Sequence, residues 1–340
     1  MKKNYTWRMI GIFVLLLLAA CNSSNENTGA EPNSESDESV IISLGHINPE
    51  TEDAQFHQGI LKFVEIVDEK TNGSVKFDIH PGGELGGERE MIEATQLGTL
   101  DMVVTSNGPL GNFADKTFAF DFPFLFRDRD HAYKVLDGEI GDEINEQIEE
   151  TGVYNLAWWE TGYRQISNNK QPITKPEDLK GLKIRTMENP IHLSTFEAYG
   201  ASPTPMAFTE LYTGLEQGVV DGQENPFTVI VPNKLQEVQK YLTVSNHFYT
   251  PGAVLINQAK FDGLSPELQQ IIQDAAIEAR DYEREFIQQL DAKLIQVMEE
   301  SGTEVTDQFD FDAFFEASQG VYEQYADQYG ELLDKILAVQ

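Results

Sequence analysis

Apolar and polar side chains alternate, or the apolar ones run unbroken, at Val40–Leu44, Val75–His80, Leu100–Thr105, Tyr154–Trp159 and Leu182–Met187, which predicts strands. Between these stretches the apolar repeat lengthens to three or four residues, the period of a helix. Phe56, Ile60, Phe63, Val64 and Val67 share one such face, and Asn72-Gly73 ends it. The same spacing predicts helices over Arg89–Leu97, through Ala132, Leu136, Ile140 and Ile144, and over Ile191–Tyr199 and Phe208–Gln217. Strands that alternate with helices predict an α/β architecture with a parallel, doubly wound sheet. Tyr241–Phe248 and Ala253–Asn257 read as strands that carry the chain back to where it began.

A longer element follows. Ser265-Pro266-Glu267 has an N-cap, a proline in the first turn and an early acid. Its apolar face runs through Leu268, Ile271, Ala275, Ala279, Tyr282, Phe286, Leu290, Leu294 and Val297 without a glycine or proline until Gly302. Such a helix of about 35 residues is roughly 50 Å long, wider than a small domain, so it must lie across two lobes. The expected lobes are 40–162 with 250–290, and 163–249 with 291–340. Phe311–Tyr329 and Leu332–Leu337 read as closing amphipathic helices.

Charge narrows the choice of partner. Of 340 residues, 24 are basic and 57 acidic, a net charge of -33, which repels nucleic acid and anionic membrane surfaces. An anion binder with this surface must concentrate positive charge in a cleft. The N-terminus has the layout of an export signal, residues 1–20: Lys2, Lys3 and Arg8, an apolar run from Met9 to Leu18, then Ala19-Ala20-Cys21. That run is shorter than the roughly 20 residues of a spanning helix. Small residues before a cysteine resemble a bacterial lipobox, so Cys21 is the expected lipidation site and membrane anchor. Removing the three leader cations leaves 21 basic against 57 acidic residues, 21 − 57 = -36. Residues 21–39, rich in Asn, Ser, Glu and Gly, read as a flexible tether. Cys21 is the chain's one cysteine, so the mature fold uses neither disulfide nor thiol nucleophile.

Candidate chemistry gathers after the strands. In an open α/β sheet ligands lie beyond the carboxyl ends of the strands, which nominates His46, Glu88, Ser106 and Asn107. Trp158 and Trp159 face opposite sides of one strand; one belongs to the core and the other is free to wall a cleft, where Trp159 is the candidate. Arg164 and Arg185 stand at the ends of short apolar runs, and Asn225 sits in a Gly/Pro-bounded turn. A guanidinium matches a carboxylate bidentately, and an amide adds donors and an acceptor beside it. The doubled glycines of Pro81–Glu88 lack the lysine and spacing of a phosphate loop, and no hydrolase elbow or zinc motif is present. No cofactor or metal is expected.

Ile184-Arg185-Thr186-Met187, the run Gly200-Ala201-Ser202-Pro203-Thr204-Pro205-Met206-Ala207-Phe208-Thr209-Glu210-Leu211-Tyr212, and Val219-Val220-Asp221-Gly222-Gln223-Glu224-Asn225-Pro226 resemble the signature of the extracytoplasmic solute-binding proteins of TRAP transporters, the DctP type. The likeness runs from about Ser43 to about Glu300. It implies a two-lobed, type II periplasmic-binding-protein fold with a hinge and a spanning helix. It further implies that Arg185 pairs with the ligand carboxylate, that Arg164 and Asn225 hold the ligand, and that Phe208 lines the pocket. Glu88 and Asn107 carry over less firmly, because first-lobe residues vary with the ligand. The implied partners of this expected monomer are a small organic acid and the small and large permease subunits. Leu85-Gly86-Gly87-Glu88-Arg89-Glu90 and Trp158-Trp159-Glu160-Thr161-Gly162-Tyr163-Arg164 look most like members that bind sugar acids such as uronates. A C4-dicarboxylate, an ectoine or another monocarboxylate stays open, as does a sensing lipoprotein; an extracytoplasmic hydrolase is the rival of another class.

Overall fold

The computed structural model describes residues 39–340; the signal segment, Cys21 and nearly all of the tether lie outside the described residues. Two sheets form the frame. The first has the order β2-β1-β3-β10-β4, with β1 Val40–His46, β2 Val75–His80, β3 Met102–Ser106, β4 Val153–Tyr163 and β10 Tyr249–Asn257. The second, of order β11-β9-β5-β8-β6-β7, comprises β5 Gln165–Asn168, β6 Lys183–Thr186, β7 Ser202–Pro205, β8 Gly222–Asn225, β9 Tyr241–Thr243 and β11 Glu304–Thr306.

Helices α1 Gln55–Lys70, α2 Glu88–Gln96, α3 Asn107–Leu110, α4 Arg129–Leu136 and α5 Glu139–Glu149 belong to the first half of the chain. Helices α6 Pro190–Ala198, α7 Phe208–Glu216 and α8 Phe227–Ile230 lie within the segment that builds the second sheet. Then come α9 Gln258–Asp262, α10 Pro266–Glu300, α11 Phe311–Gln324 and α12 Ala326–Ala338. Asn72 and Gly73 both adopt positive φ, the left-handed stop expected after α1. The helical run predicted through Ala132 to Ile144 is two helices, broken at Asp137-Gly138.

Parallel pairing holds for β2-β1-β3, but β10 runs antiparallel to both β3 and β4. The first sheet is therefore mixed, and the expectation of a parallel sheet is corrected. The reason is connectivity: β4 leaves for the second lobe and β10 returns from it, so they run in opposite directions. A single residue, Arg164, separates β4 from β5 at that crossing. Phe248 carbonyl accepts from Arg164 N–H at 2.9 Å, tying the outgoing crossing to the returning one.

The third connection is α10. Ser265 caps it by accepting from Leu268 N–H, and its 35 residues make it roughly 50 Å long. Ile272, Ala275, Ala276 and Ala279 pack into the core beneath the first sheet, while Leu294 and Met298 pack into the core of the second lobe. Both tryptophans of β4 are buried on opposite faces. Trp159 lies under α10 and donates from Nε1 to Ala276 O; Trp158 meets Phe120 edge-on in the other core. Trp159 therefore forms no wall of the cleft, a correction forced by α10, which covers the face expected to open there. Expected with the second lobe, α12 instead buries Tyr329, Leu332, Leu333 and Ile336 in the first-lobe core. Each such side chain stabilises by about 1.5 to 3 kcal/mol, enough to draw the chain's last helix back across. Among the described residues no helix is long and apolar enough to cross a membrane.

Candidate functional site

Where the carboxyl ends of β1 and β3 face the second lobe, a nearly filled cavity of about 10 Å³ is closed in by side chains from both halves. Asn48, Phe56, Glu88, Ser106 and Thr161 come from the first lobe; Arg185, Met187, Phe208, Asn225 and Val229 come from the second; Arg164 comes from the crossing. The lobes touch around it. A Cβ on Gly108 would lie 2.5 Å from Met187 Cε, and Asn112 Nδ2 donates to Glu188 O at 2.8 Å. This is a closed conformation.

Arg185 is 2% exposed at the end of β6. Its Nε donates to Met206 O at 2.9 Å, and Phe208 lies 5.9 Å from its guanidinium carbon. Among the described residues Nη1 has no hydrogen-bond partner, and no carboxylate lies within 4.0 Å of the guanidinium. Glu188, the neighbour best placed in sequence to neutralise it, faces Arg89 instead at 3.6 Å. Burial lowers the pKa of Arg185 from 12.5 to about 10, against the opposing pull of Glu224. The group stays charged at neutral pH. This cation is set for an anion that the chain does not itself provide.

Arg164 is different. It is fully buried, and its guanidinium grips Glu224, Nε against Oε2 and Nη2 against Oε1 at 2.9 Å. Nη2 also reaches Glu224 O at 2.7 Å and Asn225 Oδ1 at 3.0 Å, while Asn225 Nδ2 donates to Gln223 Oε1 at 2.6 Å. His192 Nδ1 and His247 Nε2 flank Glu224 at 3.7 and 3.6 Å. Burial alone would push the Glu224 carboxyl up; Arg164, with the two histidines, outweighs it and holds the carboxyl well below its ordinary 4.5.

Glu88 opens α2 and is 6% exposed. Its Oε1 accepts three hydrogen bonds, from Ser106 N and Ser106 Oγ at 2.7 Å each and from Thr105 Oγ1 at 3.2 Å. That leaves Oε2 as an acceptor beside the cavity. Of the residues nominated from sequence, Arg185, Arg164, Asn225, Phe208, Glu88 and Ser106 come together here. His46 and Asn107 do not line the cavity. His46 is fully buried one position before the cavity-lining Ile47, with its Nε2 3.4 Å from His57 Nδ1. Asn107 turns its amide to Thr117 O and Asp121 Oδ2 at 2.8 and 2.7 Å. Asn48 was not foreseen: its Oδ1 accepts from Phe56 N–H, its Nδ2 is buried without a partner, and it lines the cavity. The period-two pattern of β1 continued past its end would have found it.

A larger groove of about 920 Å³, lined by Phe124, Arg127, Arg129, Tyr163 and Phe311, holds no comparable unpaired cation. Arg127 donates to the carbonyls of Leu337 and Val339, and Arg129 is paired with Glu160 and Asp291. Among the described residues no cluster of His, Cys, Asp and Glu is placed to hold a metal ion.

Two lobes, four crossings and a buried cation facing the cleft define a binding protein that closes around a small anion. The family model for bacterial extracellular solute-binding protein, family 7 (DctP), matches residues 44–328, and the chain belongs to that family. It is 42% identical over 261 residues to the 2,3-diketo-L-gulonate-binding periplasmic protein YiaO of Escherichia coli (strain K12), covering 77% of this chain and 80% of that one. To the C4-dicarboxylate-binding periplasmic protein DctP of Rhodobacter capsulatus it is 35% identical over 268 residues, 78% and 79% of the two chains. The crystal structure of a TRAP periplasmic solute-binding protein from Polaromonas sp. JS666 bound to D-erythronate superposes with a TM-score of 0.86 at 40% identity, covering 88% of this chain and 99% of that one.

The Glu224 pairing carries a pH signature. A carboxyl whose folded pKa is depressed contributes stability that is present above its unfolded pKa and is lost as pH falls through the folded one. Glu224→Gln removes one partner of a buried ion pair and should cost about 3 to 5 kcal/mol at neutral pH. In urea titrations the gap between wild type and variant should shrink as pH falls below the ordinary carboxylate range. A gap that does not change with acidification would contradict the pairing.

Proposed function

We propose that the chain is the solute-binding subunit of a TRAP-type transporter, and that its ligand is a sugar acid carrying one carboxylate and several hydroxyls. The single observation behind this reading is Arg185, a buried guanidinium with no counter-ion among the described residues. A ligand carboxylate would take its free edge, with Arg164 and Asn225 alongside. Each charge-assisted hydrogen bond contributes about 1.5 to 3 kcal/mol net, so a few of them reach the roughly 8 kcal/mol of micromolar binding once association costs are subtracted.

Glu88 supports the choice among acids. Its free oxygen calls for a hydroxyl donor, which a polyol chain supplies and a second carboxylate does not. A dicarboxylate would set two like charges in a low-dielectric cavity, a repulsion of about 4 kcal/mol at contact distance for an effective dielectric near 20. Relatives named for 2,3-diketo-L-gulonate and D-erythronate agree with this preference, and the relative named for C4-dicarboxylates supplies the alternative.

In this reading the open form admits the acid, and closure follows because only the closed state offers the contacts of both lobes at once. The closed form passes the acid unchanged to the small and large membrane permease subunits, and a lipid on Cys21 holds the protein on the outer face of the cell membrane. A sensing lipoprotein would share the site and differ only in its partner.

A thermal-shift screen should show stabilisation by monocarboxylic sugar acids that grows with the logarithm of concentration, and little or none by succinate. Arg185→Ala should abolish binding in calorimetry, and mass spectrometry should recover the ligand intact. Binding retained by Arg185→Ala, or turnover of the acid, would refute the proposal. For the anchor, Cys21→Ser should move the protein from the membrane fraction to the soluble one; a variant that stays with the membrane would exclude lipidation there.

A further inference from the structure

The clamp is braced from the opposite lobe. Asp121 ends a 3-10 segment, Asp115–Asp121, whose Phe118 and Phe120 belong to the first-lobe core, and it is fully buried. Its Oδ2 accepts from Asn107 Nδ2 on its own lobe and from Asn189 Nδ2 on the other, both at 2.7 Å. Asn189 ends the segment that follows Arg185 and caps α6, its Oδ1 accepting from Ile191 N–H and His192 N–H at 2.9 and 3.2 Å. Asp121 Oδ1 faces His192 Nε2 at 3.8 Å. The His192 ring lies flat on Phe248, centroids 4.0 Å apart, and presents its other nitrogen to the Glu224 carboxylate that grips Arg164.

We propose that Asp121 is a positioning residue for the carboxylate clamp: from the first lobe it orients Asn189 and His192, and through His192 and Glu224 sets the aim of Arg164. The proposal rests on reading the cavity as a carboxylate site. No part of Asp121 is among the cavity-lining residues, so it acts only through others.

Asp121, His192, Glu224 and Arg164 follow one another along this line, the His192 ring lying 3.8 Å from Asp121 Oδ1 and 3.7 Å from Glu224 Oε1. The ionisable groups that face His192 are Asp121 from the 3-10 segment and Glu224 from β8; on the far side of Glu224 stand Arg164 and His247, the latter held neutral mainly by burial. Burial would lower the His192 pKa, but Asp121 and Glu224 outweigh it and raise it above 6.5. The imidazolium is therefore present through the ordinary histidine range and is lost as pH rises beyond it. Its loss leaves Glu224 to Arg164 alone and takes one positive charge from behind the clamp. Asp121 thus couples the closed arrangement of the lobes to the charge of the site.

The test uses Asp121→Asn, which keeps the volume and removes the charge, and His192→Gln. Histidine-labelled NMR follows His192 in the ligand-free protein, and calorimetry follows sugar-acid affinity from about pH 6 to about pH 9, the span in which a raised histidine titrates. Wild-type affinity should fall as pH rises through the His192 titration. In Asp121→Asn both the titration and the fall should move to lower pH, with binding roughly tenfold weaker at neutral pH, about 1.4 kcal/mol. His192→Gln should bind weakly without that pH step. A His192 titration unmoved by Asp121→Asn overturns the proposal, as does weaker binding with an unchanged pH profile, the mark of lost packing alone. If the wild type binds no sugar acid, the carboxylate reading fails, and the ligand-free titration still decides whether Asp121 governs His192. Should Asp121→Asn not fold, an unaltered pH step in His192→Gln overturns the coupling.

Discussion

Taking a guanidinium out of water costs several kcal/mol unless an anion comes with it, and the two buried arginines of the cleft meet that cost differently. Arg164 is matched by Glu224 on β8, the strand paired directly with β5, and the pair holds the crossing between β4 and β5 in place. Among the described residues Arg185 meets only a carbonyl, so the closed cavity is electrostatically incomplete without an anionic guest. Selectivity for anions follows from that imbalance. A neutral molecule of the same shape leaves the desolvation of Arg185 unanswered.

The surface sharpens this selection. At a net charge of -33 the molecule repels anions from almost every direction, so an acid is held only where a local cation outweighs the field. In the proposed reading, Glu88 on the facing lobe turns an anion site into one for an anion with a hydroxylated tail. On that reading both lobes are needed: one neutralises the acid end, the other accepts from the polyol end, and closure joins them.

Much of this was legible in the chain. Lys183-Ile184-Arg185 puts a charged residue at the end of a strand, which the resemblance assigns to a ligand carboxylate; that Glu188 faces Arg89 and does not neutralise it shows only in the fold, whereas the unbroken apolar face from Leu268 to Val297 already requires a helix too long for one lobe. Pairing direction was not legible, since the antiparallel run of β10 depends on which lobe the chain is returning from. Nor was the burial of Trp159, because period two says that the tryptophans part, not which face α10 covers. The return of α12 to the first lobe has the same origin: an amphipathic face does not name its partner. Glu224, His192 and Asp121 stayed hidden for a further reason. Scattered through a chain with 57 acids, they become a charge line only when three elements fold together. His46 and Asn107 were nominated by their place after strands, and capping and core contacts took them instead.

The most direct test is a crystal structure of the protein with the sugar acid that stabilises it most. The ligand carboxylate should lie on the free edge of the Arg185 guanidinium, at the roughly 2.7 to 2.9 Å of a charge-assisted hydrogen bond, with its hydroxyls turned toward Glu88. A carboxylate bound away from Arg185, or a ligand lying in the cleft in the reverse sense with its acid group toward the first lobe, would contradict the account.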